Sequence, residues 1–300
     1  MCGGILLLFF IIVGLLAPLL APPISANPYL MPVRDPSRSP FAPRPLPTPP
    51  DVRFLFGTLE GYDLYYGCIW GIRTAFQMGF LVILSALVIG LFVGSIASYF
   101  GGPVDIVAMR FADVFFAFPA VLLAIVLVRA LPSELVFNLG FTSVQMMFSS
   151  LDKIVLVLVL IRWPFYARLI RSEILKVKTE DYVEAARCIG CSNRRVLFRH
   201  ILPNSIYPVL SMAFLDIGGI VLLATTLTFL GLGPPSGYAE WGSIINSSQR
   251  FIVGSLQDPM RYGYTFIFPA IFISAFVLAW SLVGDKLRET SDPAIRGRMR

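Results

Sequence analysis

TEDYVEAARCIGCSNRRVLFRHILP, residues Thr179 to Pro203, is polar and basic, yet it lies between segments apolar enough to sit in a bilayer. Thr179 is placed to cap a helix whose first turn holds Glu180 and Asp181, both favourable at the positive end of the helix dipole. Tyr182, Ala185, Ala186 and Ile189 then recur at steps of three and four, which predicts one small apolar face. Gly190 is expected to stop the helix and turn the chain. Ser192 caps a second short helix in which Val196, Leu197 and Ile201 face one way while Arg194, Arg195 and Arg199 stay solvated, and Pro203 is expected to end it. On these residues alone two readings stand: a handle for a soluble partner, or an amphipathic loop lying on lipid headgroups.

The rest of the chain sets the class. A sequence of 300 residues that is 56% hydrophobic and 14% charged, with mean hydropathy +0.76, belongs in a membrane. Five apolar runs approach or exceed the length of a helical crossing: Ile5–Leu20, Phe76–Phe100, Val104–Leu131, Tyr207–Leu232 and Tyr264–Val283, the last ending at Gly284 and Asp285. Gly90 and Gly94 in the second run would let another helix approach closely. Arg110 and Asp113 in the third lie three apart and can pair. The run Ile154–Ile161 is too brief alone and crosses only if the helix continues through Arg162, Trp163, Pro164 and Tyr166, with Arg162 buried in protein or snorkelling. The fold expected is therefore an all-α integral membrane protein with six transmembrane helices.

Orientation follows the basic residues. Nine Lys and Arg fall between Arg162 and His200, and the tail adds Lys286, Arg288, Arg296, Arg298 and Arg300. With six alternating spans both segments share one side, which the positive-inside rule makes cytoplasmic, as are both termini. Residues 25–73 then lie outside despite five arginines, because long loops translocate with less regard to charge. Nine prolines between Pro28 and Pro50 favour an extended surface strap. The first apolar run could instead be a signal peptide cleaved near Ala26, but no basic residue precedes Ile5, which argues for an uncleaved span. The divisions expected are 1–24 (first span), 25–73 (Pro-rich outer loop), 74–285 (core with five spans and the loop 179–203) and 286–300 (basic cytosolic tail).

Chemistry-bearing motifs are scarce. The chain has no G-x-x-x-x-G-K-[ST], H-E-x-x-H or G-x-S-x-G sequence, and its single histidine, His200, has no plausible nucleophile beside it. Cys188 and Cys191 form a C-x-x-C, but a zinc site needs two further ligands and only His200 is near; they read as small residues around Gly190, and no metal site is expected. The basic residues follow the membrane and not a nucleic-acid face. Asp113, Arg162 and Asp216, ionisable groups within spans, are candidates for the pathway or its gating, with helix pairing as the competing reading.

EAARCIGCSNRRVLFRHILPN resembles the EAA loop of permease subunits of ATP-binding-cassette importers: Glu184, Ala185 and Ala186, then Gly190, then Ile201, Leu202 and Pro203. SYFGGPVDIVAMRFADVFFAFPAVLLA, WPFYARLIRSEIL, LTFLGLG followed by Trp241-Gly242, and LVGDKLRETSDP are similar to the dipeptide and oligopeptide branch, specifically its C-type permease, so that the resemblance covers most of Tyr99 to Pro293. FGTLEGYDLYYG keeps only traces of that branch's outer motif, and Ala224 stands where many relatives carry a glutamate.

The resemblance implies a type I importer in which this chain pairs with a second homologous permease. Two cytosolic ATPase subunits carry the ATP and magnesium, so that this chain binds no cofactor and is no enzyme, and an extracytoplasmic binding protein delivers the solute. It also implies that Tyr182, Glu184, Ala185, Ala186, Gly190, Ile201, Leu202 and Pro203 couple to the ATPase, with Arg168 and Arg171 anchoring the loop to its span. A secondary transporter without an ATPase and a membrane-embedded enzyme are the alternatives. The solute is not legible; peptides are the branch's leading case.

Overall fold

The computed structural model describes residues 2–33, 45–138, 143–253 and 260–291. The middle of the Pro-rich loop and the end of the basic tail, residues 34–44 and 292–300, fall outside them. Helix α1 (Cys2–Leu20) is followed by a hairpin of β1 (Thr58–Leu59) and β2 (Tyr62–Asp63), then by α2 (Leu64–Phe100), α3 (Gly102–Phe116) and α4 (Ala120–Ala130). A second antiparallel hairpin, β3 (Glu134–Asn138) and β4 (Ser143–Met147), leads to α5 (Ser150–Val177). Helices α6 (Asp181–Cys188) and α7 (Asn193–Arg195), a π-helical stretch over Val196–Ile201, α8 (Leu202–Leu227), a second π-helical stretch over Thr228–Leu232, α9 (Trp241–Val253) and α10 (Tyr264–Ser291) complete the order.

Among the described residues, four helical segments are long and apolar enough to cross a membrane, and a fifth is added if α3 and α4 count as one broken span. Helix α5 is long enough at 28 residues, but its charges exclude it on apolarity. As expected from sequence, it runs unbroken through Arg162, Trp163, Pro164 and Tyr166. Three expected boundaries move. Helix α2 begins at Leu64, not Phe76, because the Asp63 carboxylate caps it by accepting the Tyr65 and Tyr66 N–H groups. Its 37 residues make it about 55 Å long, more than a bilayer core requires. The third span is not one helix: α3 and α4 meet at a 91° bend. Pro119 opens α4 with no N–H to offer α3, and a residue preceding proline, here Phe118, is driven out of helical geometry. Helix α10 continues past Gly284 and Asp285, since Gly284 is a packing contact; a Cβ there would lie 2.6 Å from the Leu215 Cα.

The bundle is built around α2, α5, α8 and α10. Gly90 and Gly94 do what their spacing predicted: a Cβ on Gly90 would lie 2.5 Å from that of Tyr166, and one on Gly94 would lie 2.3 Å from the Ala167 carbonyl oxygen. The backbones of α2 and α5 therefore touch, which maximises dispersion contact where lipid supplies no hydrophobic drive. Helix α1 joins through the buried Phe10, whose ring meets Phe276 edge-on at 5.3 Å.

At the α2 N-terminal end the chain forms a cap. The turn Glu60–Gly61, with φ of 53° and 86°, closes the β1–β2 hairpin in the two-residue geometry that needs positive φ at both positions. The described part of the Pro-rich segment is strapped to it: Leu30 bridges Tyr238, Val33 bridges Tyr62, and Met31 is buried with its N–H on the Gly237 carbonyl at 2.8 Å.

Candidate functional site

The loop Thr179–Pro203 folds as two short helices around a fixed turn. The Cys191 N–H reaches the Ala186 carbonyl at 3.1 Å, and the Gly190 N–H reaches that of Arg187 at 2.9 Å. With Gly190 at φ 81° these two bonds make a Schellman end, which satisfies carbonyls the helix would leave bare. The cap at the other end is Glu180, not Thr179; the Thr179 hydroxyl instead donates to the Lys176 carbonyl at 2.8 Å.

The apolar face predicted for α6 is not the face that packs within the chain. Val183 and Ala186 are buried, Val183 in one cluster with Val196, Leu197 and Ile201, whereas Tyr182, Glu184 and Ala185 are exposed and Ile189 is 81% exposed. Of the four expected apolar positions only Ala186 faces inward. The reason lies across the turn: the π-helical stretch presents its apolar side to Val183 and Ala186, which leaves Tyr182, Ala185 and Ile189 as a bare outward stripe. Arg194, Arg195 and Arg199 are exposed as predicted.

Pro203 does not stop the second helix. It sits in the first turn of α8, and the preceding π-helical turns absorb the loss of its N–H, so that one helical segment runs over Asn193–Leu232, kinked near its end at Gly231 (φ 84°). Before the loop, Lys178 reaches the last carbonyls of α2, with Nζ 3.4 Å from Ser98 O and 3.2 Å from Tyr99 O. A cation there complements the helix dipole and fastens the loop to α2. No sequence spacing pointed to this contact.

Each of three α5 arginines meets an aspartate on another helix. Arg162 makes a two-point pair with Asp216 of α8, Nε to Oδ2 at 2.5 Å, and the Tyr166 hydroxyl donates to the same carboxylate at 2.8 Å. Arg168 pairs with Asp113 and stacks on Phe116 at 4.3 Å, and Arg171 grips Asp105 with Nε to Oδ1 at 2.5 Å. Asp113 is thus the partner of Arg168, not of Arg110, which is exposed. Charges pointing along the same helix three residues apart lost to a partner brought alongside by helix packing.

Asp105 and Tyr166 were missed in the sequence. The signal was the excess of cations on α5, each of which needs an anion if the helix is to sit among apolar neighbours. Also missed was Glu240, which caps α9 through the Gly242 and Ser243 N–H groups at 3.0 and 2.7 Å. Burial pushes its carboxyl pKa above the ordinary value, against those bonds. Beside it, Trp241 is buried with its indole N–H on the Cys68 carbonyl at 3.1 Å.

A family described as the binding-protein-dependent transport system inner membrane component matches residues 86–297, a stretch containing the EAA loop and the arginine–aspartate pairs. The chain belongs to this family. A dipeptide transport system permease protein of Alkalihalophilus pseudofirmus is 33% identical over 248 residues, covering 82% of this chain and 74% of its own. A glutathione transport system permease protein of Pectobacterium atrosepticum is also 33% identical, covering 79% and 71%. Among solved structures, an inward-facing methionine ABC transporter aligns with TM-score 0.56 at 16% identity, over 76% of this chain and 98% of its own. An amino acid ABC transporter aligns with TM-score 0.52 at 18% identity, over 75% and 94%. This inner-membrane component therefore has the type I importer permease fold and is an ABC transporter permease subunit.

Proposed function

We propose that this permease imports peptides, forming half of a pathway with a second homologous permease, receiving solute from an extracytoplasmic binding protein and coupling through α6 to two ATPase subunits that hold ATP and magnesium. The observation that carries the coupling is the outward stripe Tyr182, Ala185 and Ile189 on a helix whose other face is packed and whose end is locked at Gly190. An apolar stripe on a rigid short helix is suited to a groove on a partner. Lys178 and the continuous rod into α8 then carry its displacement to α2 and α8.

In this reading Ala185 permits close approach of the ATPase and Ala186 that of the π-helical stretch, Glu184 meets a cation of the ATPase, and Ile201, Leu202 and Pro203 form the junction with α8. Arg168 and Arg171 hold α3 to α5 above the loop. The Arg162–Asp216 pair joins α5 to α8 and acts as a latch whose release lets those helices part, with Asp113 bearing on α3. Helix α5 is the sixth crossing, because its three cations are paired; both termini are then cytoplasmic, and the chain divides into a first span, an outer Pro-rich loop that ends at α2, a core of five spans and a basic tail after α10. The names of the dipeptide and glutathione relatives support peptides as the solute. The test is reconstitution of the complex in proteoliposomes with its binding protein: ATP-dependent uptake of labelled peptide is expected, and uptake that persists without the ATPase subunits would overturn the reading.

A further inference from the structure

A cavity of about 520 Å³ opens between α1, α2 and α10, within the size range of small-molecule sites. Its polar groups gather at one end: Arg73 and Gln77 of α2 and Tyr29 of the strap, the Tyr29 hydroxyl lying 3.3 Å from the Gln77 carbonyl oxygen. Below them the walls are aromatic and aliphatic, Phe76, Phe80 and Trp280 facing Ile11 and Leu15, and the lip at Ile11, Leu15 and Phe80 is exposed.

Arg73 differs from the three paired arginines of α5. Arg162, Arg168 and Arg171 each hold an aspartate, whereas Arg73 lies over the Trp70 ring at 5.1 Å and has no carboxylate in ion-pair reach among the described residues. It is the last charged residue of α2; from Thr74 to Phe100 the helix carries none. Its position at the head of that run places it where hydrocarbon begins, on the membrane face opposite the EAA loop. From Arg73 to Phe80 the helix descends about 10 Å. A cation at headgroup level above an apolar cleft has the shape and charge of a phospholipid in negative, and a half-buried guanidinium with no carboxylate partner among the described residues can take an anion from outside.

We propose that this cleft holds one phospholipid, its phosphate on Arg73 and the Tyr29–Gln77 pair and one acyl chain between Phe76, Phe80 and Trp280. No acidic side chain lines the cavity, so acidic headgroups are preferred. The lipid fills the seam between α1 and α2 and fastens the first helix to the core.

The complex purified with its partner subunits and washed in delipidating detergent is examined by native mass spectrometry, with phosphatidylglycerol and phosphatidylcholine as added probes. One phospholipid per copy is expected to survive the wash, phosphatidylglycerol in preference. Arg73→Gln should lower retention at least fivefold and Arg73→Lys should largely keep it; Leu15→Trp, which fills the cleft from an exposed position, should also release the lipid, and Arg129→Gln should not. Retention no greater than detergent background, or equal in Arg73→Gln, Leu15→Trp and the unaltered protein, would overturn the proposal. So would high-yield cross-linking of Leu15→Cys to the second permease, which would assign the cleft to that subunit's helix.

Discussion

Arg162 of α5 and Asp216 of α8 meet side-on in a two-point ion pair, with side chains 31% and 13% exposed and the Tyr166 hydroxyl completing the carboxylate's bonding. The geometry holds two core helices together through charge that neither could carry alone. Asp216→Asn leaves a half-sheltered guanidinium unpaired and should destabilise the chain by about 1–3 kcal/mol, below the cost of breaking a fully buried pair because Arg162 is partly solvated. An Arg162→Gln/Asp216→Asn double variant should regain most of that loss in thermal unfolding. If transport stays low in the double variant, the pair also gates; full recovery of transport would make it structural only.

The stripe on α6 separates docking from folding. Ile189→Asp and Ala185→Arg lie on the exposed side and should leave thermal stability within about 0.5 kcal/mol, while abolishing copurification with the ATPase. Val183→Asp buries a carboxylate against Val196 and Ile201, so it should melt the loop itself, visible as faster amide exchange across residues 181–201. Equal ATPase binding by Ile189→Asp and the unaltered protein would refute the docking role.

Gly190 has open space around it, with nothing within 4 Å of a built Cβ, so Gly190→Ala tests conformation alone. Holding alanine at φ 81° should cost about 1 kcal/mol. Gly190→Pro also deletes the N–H that reaches Arg187 and should uncouple ATP hydrolysis from uptake, measured as ATPase activity that no longer rises with solute-loaded binding protein.

Glu240 makes the cap beside α9 pH-dependent. Its pKa is raised by burial, so the folded state holds the proton more tightly than the unfolded chain, whose carboxyl titrates near 4.5. The stabilisation is complete below that value and fades as pH rises through the raised one. Glu240→Gln keeps an acceptor for only one of the Gly242 and Ser243 N–H groups but removes the titration, so it should flatten that stretch of the pH–stability curve; an unchanged slope would assign the titration elsewhere.

Gly242 lies against α8, where a Cβ would meet the Thr225 carbonyl oxygen at 2.4 Å. Gly242→Ala should therefore cost about 1–3 kcal/mol by overpacking, read as a lowered Tm with the Trp241 emission shifted toward that of exposed indole.

Much of this protein is written locally in its sequence. Apolar runs longer than a bilayer is thick, the Gly90 and Gly94 contact, the stop at Gly190 and the family pattern from Glu184 to Pro203 depend on residues close in the chain, whose periodicity and backbone preferences act without reference to the rest of the fold. Tertiary structure decided what depends on rotation and register between helices. Arg168 took Asp113 from its own neighbour Arg110, Val183 and Ala186 became the packed face of α6 while Tyr182 and Ile189 stayed outside, and Pro203 continued a helical segment it was expected to end. A 91° bend opened inside one apolar run. Hydropathy measures how apolar a segment is, but the direction a side chain faces is set by the helix that packs against it, and that helix lies far away in sequence.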